Sequence, residues 1–184
     1  MVPTTPETTI KALYKDHYNE VLAYCVRRTG YTDAEDVAAE VFVTAWRRID
    51  DLRHDTERAW LFGIARRVLS NRWRSALRYR RLKDKVGGLA NLHSETPEVY
   101  IVQRENDQEV IDCLQRLRPT DREVLMLSAW ESLTAPEIAV ALGVSVSAAE
   151  QRLHRAKKRL AAAMQPVPEQ DSFSPRAAEE RGGR

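Results

Sequence analysis

Apolar residues recur at three- and four-residue spacing along most of the chain, and this period predicts helices rather than strands. A first helix is expected from Ile10 to Arg28, with Leu13, Tyr14, His17, Val21, Tyr24 and Cys25 on or near one face. Thr29-Gly30-Tyr31 interrupts it, glycine being a ready helix stop. Thr32 followed by Glu35 has the spacing of a capping box, and a second helix is predicted to about Ile49 on Val37, Val41, Phe42, Ala45 and Trp46. Asp50 to Thr56 shows no period and reads as a polar loop. A third helix follows from Glu57 to at least Arg74, its stripe formed by Trp60, Leu61, Ile64, Val68, Leu69 and Trp73. Both tryptophans fall on that stripe and are expected in the core.

The pattern then fails. Gly87-Gly88, Asn91, Ser94 and Pro97 break any helix, so residues 83–98 read as a flexible linker. Helical spacing returns near Val99 with Val110, Ile111, Leu114 and Leu117, stops at Pro119, and restarts on Val124, Leu125 and Leu127. Thr120 with Glu123 suggests another capping box. From Thr134 to Arg159 two short helices are separated by one glycine. Thr134 and Glu137 open the first, and Ile138, Ala141 and Leu142 form its apolar side. Gly143 supplies the reversal and Ser145 caps the second, whose stripe is Val146, Ala149, Leu153, Ala156 and Leu160. Arg152, Arg155, Lys157, Lys158 and Arg159 occupy its remaining surface. Such a pair fits a helix-turn-helix, in which the second helix enters the DNA major groove. An ordinary helical hairpin with a solvated cationic side has the same spacing; the turn chemistry together with the cation cluster favours DNA.

The fold class that emerges is all-α, with two small helical domains joined by a flexible linker and a helix-turn-helix in the second. The divisions expected are a disordered N-terminus at 1–9, a first domain at 10–82, the linker at 83–98, a second domain at 99–164 and a disordered tail at 165–184.

Charge sharpens the picture. The net charge is only +2, yet nine Lys/Arg and one acid lie between Arg66 and Lys85, while six acids and one cation lie between Asn91 and Asp112. A basic block of that density suits a polyanion. The two cysteines, Cys25 and Cys113, sit far apart within helical stripes and read as buried thiols. The four histidines are scattered, and there is no metal-ligand spacing, phosphate-binding glycine loop or nucleophile–base motif. No metal, no cofactor and no catalytic residue is expected, and the chain is not read as an enzyme. No apolar run is long enough for a membrane span, so a cytoplasmic protein without a membrane partner is expected.

Four segments, in order, carry a family resemblance: Asp33–Trp46 (DAEDVAAEVFVTAW), Trp60–Arg74 (WLFGIARRVLSNRWR), Arg118–Leu125 (RPTDREVL) and the helix-turn-helix. Together, over about Leu13 to Met164, the chain resembles the extracytoplasmic-function (ECF) group of bacterial RNA polymerase sigma factors. The resemblance implies a region 2-like first domain that docks on the polymerase core and reads and melts the −10 promoter element, and a region 4-like second domain that reads the −35 element. Asp33, Glu35, Asp36, Glu40 and Trp46 would form the polymerase-binding face; Asp33 and Glu35 also have a capping role available to them. The loop bearing Asp50, Asp51, Arg53 and His54 would accept an unstacked base, and Arg66, Arg67, Asn71, Arg72 and Arg74 would face the −10 DNA. Arginine supplies salt-sensitive affinity for phosphate, while an asparagine and a polar loop can bond the edges of a flipped base.

For the −35 element the implied readers are Ser147, Glu150, Gln151, Arg152, Arg155 and Lys158. Here the chain departs from the family, which usually carries a Thr-Val-Lys-Ser-like stretch where this sequence has Ala148-Ala149-Glu150-Gln151. Glutamate can accept from a cytosine amino group and glutamine can pair with adenine. The acidic run at Glu95, Glu98, Glu105 and Asp107 fits passage through a positively charged channel and fits a solvated linker equally. The partners implied are the polymerase core and promoter DNA, with an anti-sigma factor as a further partner that no residue of the sequence marks. The alternative is a helix-turn-helix regulator that binds DNA without joining the polymerase.

Overall fold

The computed structural model describes residues 5–53, 55–87 and 108–165, and among these every regular element is helical. α1 (Pro6–Thr29), α2 (Tyr31–Arg47) and α3 (Glu57–Gly87) form one bundle, with a single 3₁₀ turn at Ile49–Asp51 between α2 and α3. α4 (Gln108–Arg116), α5 (Pro119–Ala129), α6 (Ala135–Leu142) and α7 (Val146–Ala163) form a second. The expected linker beyond Gly87, the start of the second domain at 99–107 and the tail from 166 lie outside the described residues.

Local chemistry sets the boundaries. α1 starts at Pro6, a turn before the Ile10 expected, because the Thr5 hydroxyl accepts from the Thr8 amide and Pro6 takes the first helical position. Residues 6–9 are therefore helical rather than disordered. Gly30, at φ 74°, ends α1 and leads directly into α2. Thr32 thus falls inside the helix, and the capping box expected with Glu35 does not form. Pro119 likewise starts α5 one residue before Thr120, so that box is absent as well. α3 continues past Lys83 to Gly87, extending the helix into the expected linker.

The first bundle buries Leu13, Val21, Tyr24 and Cys25 of α1 against Val37, Val41, Phe42 and Ala45 of α2 and Leu61, Phe62, Ile64 and Leu69 of α3. Tyr24 stacks on Phe62 with ring centroids 5.1 Å apart. In the second bundle Val124 and Leu127 of α5 meet Ile138 of α6 and Ala149 and Ala156 of α7. The Arg122 guanidinium, buried enough that its pKa is lowered, donates to the carbonyls of Leu114 (3.0 Å) and Gln115 (2.6 Å) and so satisfies the end of α4. Cys25 and Cys113 are free, buried thiols, and burial pushes the Cys25 pKa up to about 12. That thiol stays protonated at neutral pH.

The two bundles share one continuous core because α6 lies across α3, and the Tyr24 and Arg28 side chains of α1 reach Glu123 of α5. Gly63 makes the first contact possible, since a Cβ there would come within 3.0 Å of the Ala141 carbonyl oxygen. Gly63→Val is expected to cost about 1–3 kcal/mol by overpacking this crossing, outweighing the helix propensity gained over glycine. Chemical denaturation checks the sign; a variant as stable as the parent shows that α6 does not press on α3.

Ion pairs complete the α1–α5 contact. The Tyr24 hydroxyl donates to Glu123 (2.8 Å), and Arg28, 4% exposed, reaches both Glu123 (3.3 Å) and Glu131 (3.1 Å). Arg27 also bonds Glu131, whose carbonyl oxygen accepts from Arg58. Burial alone would lower the Arg28 pKa, but its interactions with Glu123, the Tyr24 oxygen and Glu131 outweigh it and hold it raised. The Tyr24 pKa is pushed well above its usual value, chiefly by burial.

Candidate nucleic-acid interface

The helix-turn-helix is built as its residues require. Thr134 donates through both its amide and its hydroxyl to Glu137, each at 2.7 Å, which opens α6 and holds the Glu137 pKa below its usual value. Gly143 adopts the left-handed conformation (φ 67°, ψ 44°) that reverses the chain. Ser145 then accepts from the Ala148 amide at 3.2 Å and starts α7. Ala149 and Ala156 are buried, with Leu153 and Leu160 packed beside them.

The opposite side of α7 is open. Ser147, Glu150, Gln151, Arg152, Arg155 and Lys158 are all exposed, and by helical arithmetic all but Arg152 share the side facing away from the core. Glu150, Gln151, His154 and Arg155 line a shallow open depression there. His154 was not among the residues expected from sequence; its place four after Glu150 was the available signal.

A second polar surface lies on α3. Arg67, Asn71 and Arg74 fall at spacings of four and three and are exposed on one side. Arg74 donates to the Asn71 side-chain oxygen at 2.7 Å. Arg66 is half-buried, and its Nε is buried without a hydrogen-bond partner among the described residues. Arg72 turns toward α2 and pairs with Glu40 at 2.7 Å, so this candidate does not join the others on one surface. Asp50 and Asp51 are exposed in the 3₁₀ turn, Asp51 paired with Arg48 at 2.7 Å, and Arg53 is exposed beyond it. His54 lies outside the described residues. Arg67 also approaches the helix-turn-helix, its Nη2 lying 3.7 Å from where a Cβ on Gly143 would stand.

The outer side of α2 carries Asp33, Glu35 and Asp36, all exposed, with Glu40 half-buried beside Arg72. Trp46 is 57% exposed and Val43 50%. An indole so open is not serving the core, and Val43 extends its apolar surface in a way sequence spacing did not single out. Trp73 is also exposed, against the expectation of a core residue, because α3 has left the bundle by that point. No helix among the described residues is long and apolar enough to cross a membrane, and no cluster of potential metal ligands occurs among them.

These two polar helix surfaces lie within segments that match known families. Residues 13–79 match the family described as Sigma-70 region 2, and residues 107–160 match Sigma-70, region 4. The chain is 32% identical to RNA polymerase sigma factor YlaC of Bacillus subtilis, over 82% of this chain and 89% of that protein. It is 32% identical to ECF RNA polymerase sigma factor SigL of Mycobacterium tuberculosis, over 85% of this chain and 89% of that one. Among solved structures it is similar to CnrH in complex with the cytosolic domain of CnrY, at 30% identity and TM-score 0.55 over 85% of this chain and 87% of that one. The fold is also that of the Bartonella quintana sigma factor RpoE solved with the anti-sigma factor NepR, at 22% identity and TM-score 0.60, covering 85% and 96%. The chain belongs to the ECF group of RNA polymerase sigma factors, the subunits that direct transcription initiation by the polymerase core. The region 2 match sets aside a helix-turn-helix regulator acting without polymerase.

Proposed function

We propose that the two exposed polar surfaces are the promoter grips: α3 with the Asp50–Thr56 loop for the −10 element, and α7 for the −35 element. The observation that carries this reading is that each surface stands on the side of its helix turned away from the core, so each can meet DNA without loss of packing. On α3, Arg67 and Arg74 hold phosphate, Asn71 and the loop residues Asp50, Asp51, Arg53 and His54 meet unstacked bases, and Arg66 sits at the edge of that surface. Arg72 acts by fixing α3 to α2 through Glu40. On α7, Ser147, Glu150, Gln151 and Arg155 reach base edges, with Arg152 and Lys158 toward the backbone. Asp33, Glu35, Asp36, Glu40 and Trp46 form the polymerase-binding surface.

Residues 10–82 are assigned to the region 2-like domain and 99–164 to the region 4-like domain. The protein works in the cytoplasm and contributes no catalytic group of its own; bond formation belongs to the polymerase. An anti-sigma factor is assigned as a partner, by likeness to CnrH and its complex with CnrY. Run-off transcription with purified polymerase core on a genomic promoter library tests the whole reading. Specific initiation that requires this chain supports it, and initiation indifferent to the chain overturns it.

Glu150 gives the sharpest test of the −35 assignment. It is exposed on the outer side of α7, and a carboxylate near phosphate is tolerated where it accepts from a cytosine amino group. Glu150→Ala is expected to relax preference at one −35 position by about 1–3 kcal/mol, roughly a 5- to 150-fold effect. Selection from randomised −35 sequences reads it; an unaltered preferred element removes Glu150 from the readers.

A further inference from the structure

The two promoter grips stand too close together in this structure to work at once. Arg67 of α3 has its Nη2 3.7 Å from where a Cβ on Gly143 would stand, at the turn that leads into α7. α7 has 18 residues and is only about 27 Å long at the helical rise. By their positions the −10 and −35 elements lie roughly 25 base pairs apart, about 85 Å at 3.4 Å per pair. Duplex DNA stays nearly straight over that length, its persistence length being about 500 Å. With α6 lying across α3, one promoter cannot fill both grips.

We infer that this closed packing is a self-inhibited state of the free chain, and that the ion pairs of Arg27 and Arg28 with Glu123 and Glu131 are its latch. The inference rests on the two-grip reading above and names the opening that must precede it. No second protein is needed to hold this state, because every group of the latch belongs to the chain.

The seam between the bundles has the chemistry of a contact that can part. At the crossing Ala141 offers its backbone to Gly63, so two of the smallest residues meet there. Beside it the contact is polar. Tyr24, Arg27 and Arg28 of α1 bond Glu123 and Glu131, and Arg58 donates to the Glu131 carbonyl oxygen. Buried ion pairs contribute little net stability, since both charges give up their hydration, and that hydration returns when the seam opens. Their geometric demands nonetheless fix one register, because a guanidinium fork must meet its carboxylate. Domain contacts that are polar permit relative motion, whereas large apolar ones resist it. Residues 88–107 join α3 to α4 and can span at most about 70 Å at full extension. With the widths of the bundles added, that reach covers the promoter spacing.

The test compares the full-length parent chain with Arg27→Ala/Arg28→Ala and with Glu123→Gln/Glu131→Gln. The two pairs break one latch from opposite bundles, and none of the four residues belongs to the assigned polymerase or DNA surfaces. Small-angle X-ray scattering reads the separation of the bundles in the free chain, and circular dichroism checks that each variant keeps its helices. Run-off transcription at fixed polymerase core, on a promoter with both elements, gives the chain concentration for half-maximal initiation. An open fraction of about one in ten weakens apparent affinity about tenfold. Each latch variant is therefore expected to show a larger radius of gyration and to reach half-maximal initiation at about a tenfold lower concentration. An unchanged radius or an unchanged concentration in the folded variants overturns the inference. So does a gain from one folded pair and not the other, which would mark a local effect. Failure of the parent itself to initiate specifically would instead sink the two-grip reading.

Discussion

Glu131→Ala is expected to lower the thermal midpoint by roughly 10 °C, the largest loss of stability from any single ion pair among the described residues. Glu131 is 3% exposed and accepts from Arg27 and Arg28, while Arg28 is itself buried. Removing one partner of a buried pair leaves the other charge desolvated and unmatched, at a cost of about 3–5 kcal/mol. The lower end applies here, because Glu123 and the Tyr24 carbonyl still face Arg28. In a chain of this length each kcal/mol is worth about 2–4 °C. Glu123→Ala should cost less, since its side chain is 20% exposed and water can replace part of what is lost. Lys11 and Glu7, paired at 2.7 Å but 73% and 65% exposed, should contribute almost nothing. Thermal unfolding followed by circular dichroism gives the ranking. Equal midpoints for the Glu131 and Glu123 variants would show that the pair is not buried in solution and that α1 and α5 are held by apolar contact alone.

That network also marks the boundary of what the sequence could disclose. The stripes of Val37, Val41, Phe42 and Ala45, or of Ala149, Leu153 and Ala156, are legible because helical period and burial are the same fact seen twice. The Thr134–Glu137 box is legible because both partners are local. Thr120 and Glu123 have identical spacing, but Pro119 begins the helix first, and Glu123 bonds Tyr24 and Arg28 about a hundred residues away. No spacing rule reports a partner at that distance. The same holds for Gly63, an unremarkable glycine in the sequence, whose missing side chain admits the Ala141 backbone. At the candidate site the exposed side of α7 could be read from the sequence, because it is what the apolar stripe leaves over. Arg72 could not be separated from Arg67 and Arg74, since its turn toward Glu40 depends on where α2 crosses α3. Trp73 was misplaced for a related reason: the stripe continues along α3 after the bundle that would cover it has ended.

Arg66→Ala/Arg67→Ala is expected to reduce open-complex formation about a hundredfold while the chain stays helical. The two positions differ in kind. Arg67 is exposed, its guanidinium beside the Gly143 turn, and truncation leaves no cavity. Arg66 is half-buried, so its stem is already held by the bundle and less side-chain entropy is lost when its head meets DNA. A hydrogen bond to a charged group contributes about 1.5–3 kcal/mol, and two such contacts sum to about the 3 kcal/mol that a hundredfold change requires. Permanganate reactivity of unpaired thymines at the −10 element measures the open complex directly. A pre-melted template separates the roles: recovery there assigns the arginines to strand opening, and persistence of the defect assigns them to holding the opened strand. Unaltered open-complex formation on the ordinary duplex would remove this side of α3 from the promoter contact.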